Sequence, residues 1–163
     1  MSAAPADQAA GLTTELCLGR LDGFIAYHLR VAQDASFQTF ARRVDKDDLK
    51  PGRFTLLVLI SQNHGLTPTA LSRASGRDKS SITPALHDLE QRGLIERCRV
   101  PTDGRSYTLT LTDLGRACLD EMMAHAEAHD RALDAIVGPR NKQRFIDQLR
   151  RITHLLNTDQ GEP

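Results

Sequence analysis

Between Asp78 and Arg105 the chain reads D-K-S-S-I-T-P-A-L-H-D-L-E-Q-R-G-L-I-E-R-C-R-V-P-T-D-G-R, and its polar residues suit recognition rather than bond-making. At about 100° per residue, Ser80, Pro84, His87 and Gln91 fall on one helix face, flanked by Thr83 and Asp88. An ordinary solvated face would carry Lys and Glu. This one carries short hydrogen-bonding groups, which can enter the DNA major groove and touch base edges. The candidate groove contacts are therefore Ser80, Ser81, Thr83, Pro84, His87 and Gln91. Lys79 and Arg92, with Thr67, Thr69 and Arg73 upstream, are candidate phosphate contacts. Arg105 sits two residues after Asp103 in turn chemistry, Pro101-Thr102-Asp103-Gly104. A basic hairpin tip suits the narrow minor groove, where negative potential is strongest, and Asp103 could orient the guanidinium by a charge-assisted bond. The bland alternative for the whole stretch is a solvated surface helix.

These residues need particular elements to hold them. Ile82, Ala85, Leu86 and Leu89 recur at i, i+3, i+4, i+7 and form the apolar stripe of a short helix. Asp78 is a good N-cap and Gly93 the expected residue after the C-cap. Pro84 leaves two readings open: a helix from Asp78 kinked past its first turn, or a helix starting near Ser81, where the missing N–H costs nothing. Leu94 to Val100 and Ser106 to Leu111 have strand character, with Tyr107, Leu109 and Leu111 alternating against Ser106, Thr108 and Thr110. Upstream, Thr67-Pro68 opens another short helix that Gly76 closes. The two helices make a helix-turn-helix pair and the hairpin its wing.

With D-K-S-S-I-T-P-A-L-H-D-L-E-Q-R-G-L-I-E-R followed by D-G-R-S-Y-T-L-T-L-T-D-L-G, the chain resembles the MarR family of bacterial transcriptional regulators. The resemblance spans roughly Gly23 to Leu156, and the D-x-R wing followed by L-x-L-T-x-x-G is its specific part. It implies a homodimeric winged-helix repressor whose DNA affinity changes when a small molecule binds. The fold class expected is mainly α with a small β-hairpin wing, a winged helix-turn-helix with a helical dimerisation region from the N- and C-terminal helices.

The length of 163 residues favours one domain with a real core. We expect a mobile tail at 1–11, a single domain at 12–157 and a short tail at 158–163. The winged lobe should cover about 53–111, with dimerisation helices at about 12–45 and 113–157. Phe54 to Gln62 is almost wholly apolar and should be a buried central helix after a loop at Lys46 to Gly52. From Leu12 to about Arg43 we read one long helix, or two with a break near Gly19 to Gly23. Thr112 should cap a helix running to Val137, which Gly138-Pro139 ends. The last helix carries Phe145, Leu149, Ile152 and Leu156 as a stripe in need of a partner. Formal net charge is zero, so DNA binding must come from local charge, and a protein-interaction module of the same fold is an alternative. Three cysteines without metal-type spacing, no membrane-length apolar run and no signal peptide point to a reducing cytoplasm.

An enzyme is not expected, because neither a Gly-rich phosphate loop nor a nucleophile elbow is present. No cofactor is expected. Peroxide-sensing members of the family use a cysteine early in the first helix, but the matching position here is Ile25, and Cys17 lies about two turns earlier. Cys98 and Cys118 read as packing residues. His125 and His129 have an i, i+4 metal-ligand spacing. Zinc-sensing members add ligands near the second helix, where this chain has Lys50-Pro51-Gly52-Arg53-Phe54, so two exposed histidines are the favoured reading. Redox- or metal-responsive regulation stays as an alternative. For a small-molecule effector, the family places the pocket between the dimer helices and the DNA-binding lobe. The candidate lining is Tyr27, His28, Arg30, Val31, Phe37, Phe40 and Arg53. Aromatic rings beside basic groups suit an aromatic acid or its thioester, although the same rings could be plain core. The stretch Y-H-L-R-V-A-Q-D-A-S-F-Q-T-F-A-R-R-V also resembles regulators of hydroxycinnamate catabolism that respond to aromatic acyl-CoA. The expected partners are thus a pseudo-palindromic DNA duplex, a second copy of the chain and a small aromatic ligand or aromatic acyl-CoA. No membrane partner is expected.

Overall fold

A computed structural model describes residues 16–44, 51–100 and 103–158, with the side chains of Pro51, Val100, Asp103, Gly104 and Arg105 outside that description. A 3-10 turn at Gly19–Gly23 precedes α1 (Ile25–Arg43) and α2 (Pro51–Gln62). Next come α3 (Pro68–Ser75), α4 (Lys79–Gln91), β1 (Ile95–Val100) and β2 (Asp103–Leu111). The chain ends with α5 (Asp113–Val137) and α6 (Lys142–Thr158). The described residues are thus mainly helical with one antiparallel hairpin, the expected class. They form two compact units that divide within α1, after Ala35.

In the first unit the glycine break at Gly19–Gly23 becomes the 3-10 turn, with Gly19 at φ 54°. An imidazole nitrogen of His28, Nε2, lies 2.7 Å from the Asp22 carbonyl, and Tyr27 meets the His28 ring edge-on at 5.3 Å. Arg30 pairs along the helix with Asp34 at 3.2 Å, an exposed pair of little energetic weight. Val31 is exposed.

The second unit holds the core. Helix α2 begins at Pro51, three residues before the Phe54 start expected from sequence. Proline is tolerated there because a first-turn N–H has no intrahelical acceptor. Leu56, Leu57 and Ile60 of α2 are buried together with Leu71 of α3, Ile82, Leu86 and Leu89 of α4, Ile95, Leu109 and Leu111 of the hairpin, and Leu119 and Met122 of α5. Each such leucine contributes roughly 1.5–3 kcal/mol. Helix α3 starts on Thr67, whose hydroxyl accepts from the Ala70 N–H at 3.3 Å, and ends at Gly76 in the left-handed region, φ 65°. Helix α4 starts on Asp78, which decides the Pro84 question. The proline lies inside the helix, where it removes the N–H that would bond the Ser80 carbonyl. Its far end closes as a Schellman motif: Leu94 N–H donates to the Leu89 carbonyl and Gly93 N–H to Glu90, both at 2.9 Å, with Gly93 at φ 69°.

The strands pair from Ile95↔Leu111 to Arg99↔Tyr107, with a register shift between Arg99 and Val100. Strand β2 begins at Asp103 and so absorbs part of the expected turn. Leu109 N–H donates to the Leu66 carbonyl at 2.9 Å, which ties the hairpin to the segment before α3. The L-x-L-T-x-x-G motif has a direct cause. The Thr112 hydroxyl accepts from the Gly115 N–H at 2.9 Å and donates to the Gly93 carbonyl at 2.6 Å. A Cβ on Gly115 would collide with the Leu94 carbonyl oxygen. The motif therefore locks the start of α5 onto the end of α4 and the root of the wing.

Candidate nucleic-acid interface and aromatic cavity

The outer face of α4 stands as the sequence implied. Lys79, Ser80, Ser81, Thr83, Pro84, His87 and Gln91 are exposed, while Ile82, Leu86 and Leu89 face the core. Some of the hydroxyls also serve the helix itself. Ser80 Oγ donates to Asp78 Oδ1 at 2.7 Å, and Thr83 Oγ1 donates to the Lys79 carbonyl at 2.9 Å. Asp78 also accepts from the Ser81 N–H at 2.7 Å. The Ser80 hydroxyl first, and then the Ser81 N–H, hold the Asp78 carboxyl below the usual aspartate range. On α3, Thr69 and Arg73 are exposed, whereas Thr67 is half-buried with its oxygen given to the helix cap.

Charge on the wing side is partly spoken for. Arg97 of β1 pairs with Glu90 of α4 at 2.9 Å and lies over the Tyr107 ring at 4.7 Å, so it fastens the wing to the helix. Arg92, a candidate phosphate contact, donates Nε to Asp88 at 3.1 Å. Arg73, Lys79 and Arg99 remain exposed. The side chains of Asp103 and Arg105, expected at the wing tip, lie outside the described residues.

Within the second unit a cavity of about 280 Å³ is lined by Ser36, Phe37, Phe40, Phe54, Thr55, Ala126, His129 and Asp130. Phe40 stands 5.5 Å from Phe54 and 5.8 Å from the His129 ring, centroid to centroid. Ser36 Oγ and His129 Nε2 are 2.9 Å apart, and His129 Nδ1 is buried without a hydrogen-bond partner. Asp130 is neutralised by Lys142, which reaches Asp130 at 2.8 Å and Asp134 at 2.7 Å. Hydrogen bonds to Asp130 and then Asp134 push the Lys142 pKa up.

Of the expected effector residues, Phe37 and Phe40 line this cavity and Arg53 does not. Arg53 instead places Nε 2.6 Å from Asp88 Oδ2 of α4. Tyr27, His28, Arg30 and Val31 belong to the first unit. Sequence reasoning missed Ser36, Thr55, Ala126, His129 and Asp130 as lining residues, and it saw Phe54 as the start of a buried central helix. His125 and His129, read as exposed, are half-buried; His129 packs on Phe40, so ring burial overrides the solvated reading. Among the described residues no group of three or more His, Cys, Asp or Glu could hold a metal ion.

Comparison with known proteins agrees with this architecture. The MarR family model matches residues 49–107. A protein of Thauera aromatica named for regulation of the hcr operon is 34% identical over 139 residues, covering 85% of this chain and 84% of that protein. The transcriptional repressor CouR, solved bound to a 23-mer DNA duplex, is 33% identical with a TM-score of 0.78, covering 86% of this chain and 99% of the other. CouR bound to p-coumaroyl-CoA is 32% identical with a TM-score of 0.77, covering 85% and 98%. The wing motif, the winged-helix fold and these relatives converge, and the chain belongs to the MarR family of DNA-binding transcriptional regulators, which are not enzymes.

Proposed function

We propose that this protein is a cytoplasmic repressor that binds a pseudo-palindromic operator as a homodimer and leaves it when a small aromatic acid or aromatic acyl-CoA binds. Helix α4 would enter the major groove through Ser80, Ser81, Thr83, His87 and Gln91, with Pro84 on the same face. Thr69, Arg73 and Lys79 would hold phosphates, with Thr67 beside them, and Arg105, oriented by Asp103, would enter the minor groove. The homodimer is supported by α6, which has no fully buried residue and leaves Phe145, Leu155 and Leu156 at 44%, 52% and 61% exposure. An apolar stripe of that kind gains stability only against a partner, and a twofold partner also supplies the second half-site contact.

The single observation that carries the effector reading is the aromatic cavity. Phe37, Phe40 and Phe54 supply ring surface, while Ser36 and His129 supply hydrogen-bonding atoms at one side. A cavity of about 150 Å³ holds benzene, so this one has room for a phenyl ring with an acid or propenoyl chain. It is too small for a coenzyme A nucleotide, which would have to lie outside. Arg42 and Arg43, exposed within one turn of Phe40, are cations available to its phosphates. CouR, which shares this fold at 32% identity, has been solved with p-coumaroyl-CoA.

Calorimetric titration with benzoate, p-coumarate and their CoA thioesters tests the site. At least one should bind the wild type, and Phe37→Ala should weaken it about tenfold by removing one wall of ring contact. Phe37 is 44% exposed, so this variant should fold. Equal affinity for both proteins would move the effector elsewhere.

A further inference from the structure

Asp88 lies on α4 beside the reading face, where a bare carboxylate would repel DNA phosphates. It is not bare. Its Oδ2 lies 2.6 Å from Arg53 Nε, an ion pair in which that nitrogen makes no hydrogen bond, and accepts from Arg92 Nε at 3.1 Å. Arg53 comes from the first turn of α2 and Arg92 from the C-cap of α4 itself. The side chains are 18%, 29% and 33% exposed for Arg53, Asp88 and Arg92, so the cluster is partly withdrawn from solvent screening. The apolar stripe of Ile82, Leu86 and Leu89 gives α4 its seat, but packing of that kind is non-directional. An ion pair from a different helix instead acts at one point off the α4 axis. It fixes how far α4 is rotated about its axis, and with it where Ser80, Thr83, His87 and Gln91 point.

We propose that Arg53 is a positioning residue for DNA recognition: through Asp88 it sets the angle at which the recognition helix presents its reading face. Arg53 itself touches no base or phosphate in this account. Base readout depends on side chains held within about 0.5 Å and 10–20° of the productive geometry, whereas phosphate attraction tolerates looser placement. Loss of the contact should therefore cost sequence discrimination more than general affinity. That signature separates it from a phosphate contact, which would weaken all duplexes alike.

The test compares two duplexes: one selected from random sequence by the wild-type protein, and a scrambled version of it. Arg53→Gln should bind the selected duplex about tenfold more weakly while binding the scrambled duplex within a factor of two of wild type, roughly the loss of one base-pair's discrimination. Asp88→Asn should show the same loss of discrimination, and the double variant should be no worse than either single one, because both remove one interaction. Arg53→Lys, which keeps the charge but not the planar fork, should recover part of the loss. Thermal midpoints are read in parallel. The proposal is overturned if Arg53→Gln binds both duplexes as wild type does, or loses equally on both. It is equally overturned if Asp88→Asn tightens the selected duplex, the sign expected of a merely repulsive carboxylate. A fall in affinity that tracks the melting temperature in Arg53→Lys and Asp88→Asn alike would reduce the contact to a structural one and also overturn it.

Discussion

Asp78 serves the head of the recognition helix twice, capping the Ser81 N–H and accepting from the Ser80 hydroxyl, both at 2.7 Å. Those bonds depress its pKa in the folded state. A carboxylate whose folded pKa is lowered contributes stability above the unfolded-state value and loses it as pH falls through the folded one. Asp78→Asn, which keeps a capping oxygen without the charge, should therefore lose less stability than wild type on acidification through the ordinary aspartate range. Melting temperatures of both proteins across that range check this; parallel curves would mean that the charge is idle. Lys79, one residue on, is exposed and is proposed as a phosphate contact. Lys79→Ala should weaken selected and scrambled duplexes alike and reduce the slope of log affinity against log salt by about one. A loss confined to the selected duplex would instead make Lys79 a base reader.

The helix-turn-helix and the wing stand on a junction where α4, β1 and α5 meet. Gly115 lies against the Leu94 carbonyl, and Thr112 bonds Gly93. Gly115→Ala should destabilise the protein by about 2 kcal/mol, because backbone rather than a flexible side chain has to move. Denaturant unfolding measures this, and a change under about 0.5 kcal/mol would contradict the close packing. These elements were legible in the sequence because their signals are local. The caps at Thr67, Asp78 and Thr112, the stops at Gly76 and Gly93, and the stripe from Ile82 to Leu89 all act within a few residues. The start of α2 was not legible, since Pro51 serves equally as a loop breaker and as a first-turn residue. The cavity was only half legible. Phe37 and Phe40 share a helix, but Ser36 meets His129 across a separation of 93 residues, and spacing carries no record of such a contact. Arg53 was set among the effector residues for its charge. Which acid it pairs with is decided by tertiary structure, which brings the first turn of α2 to Asp88 of α4.

As a whole the molecule is proposed to work through a second copy of itself. The stripe on α6 is exposed at Phe145, Leu155 and Leu156. Leu156→Asp should shift the protein to a monomer in light scattering and weaken operator binding by more than tenfold, since one half-site loses its partner. A dimer that survives the substitution would place the interface elsewhere. DNA recognition and effector response then become two readings of one equilibrium. A ligand that binds the DNA-incompetent spacing more tightly lowers operator affinity by its differential binding, of the order of 1–3 kcal/mol. The measurement that bears most directly on this account is fluorescence anisotropy of a labelled selected duplex, titrated with protein at fixed salt with and without p-coumaroyl-CoA, p-coumarate or benzoate. At least one of these aromatics should raise the dissociation constant about tenfold or more, while acetyl-CoA should not. Unchanged binding with every aromatic, together with release by peroxide or zinc alone, would contradict it.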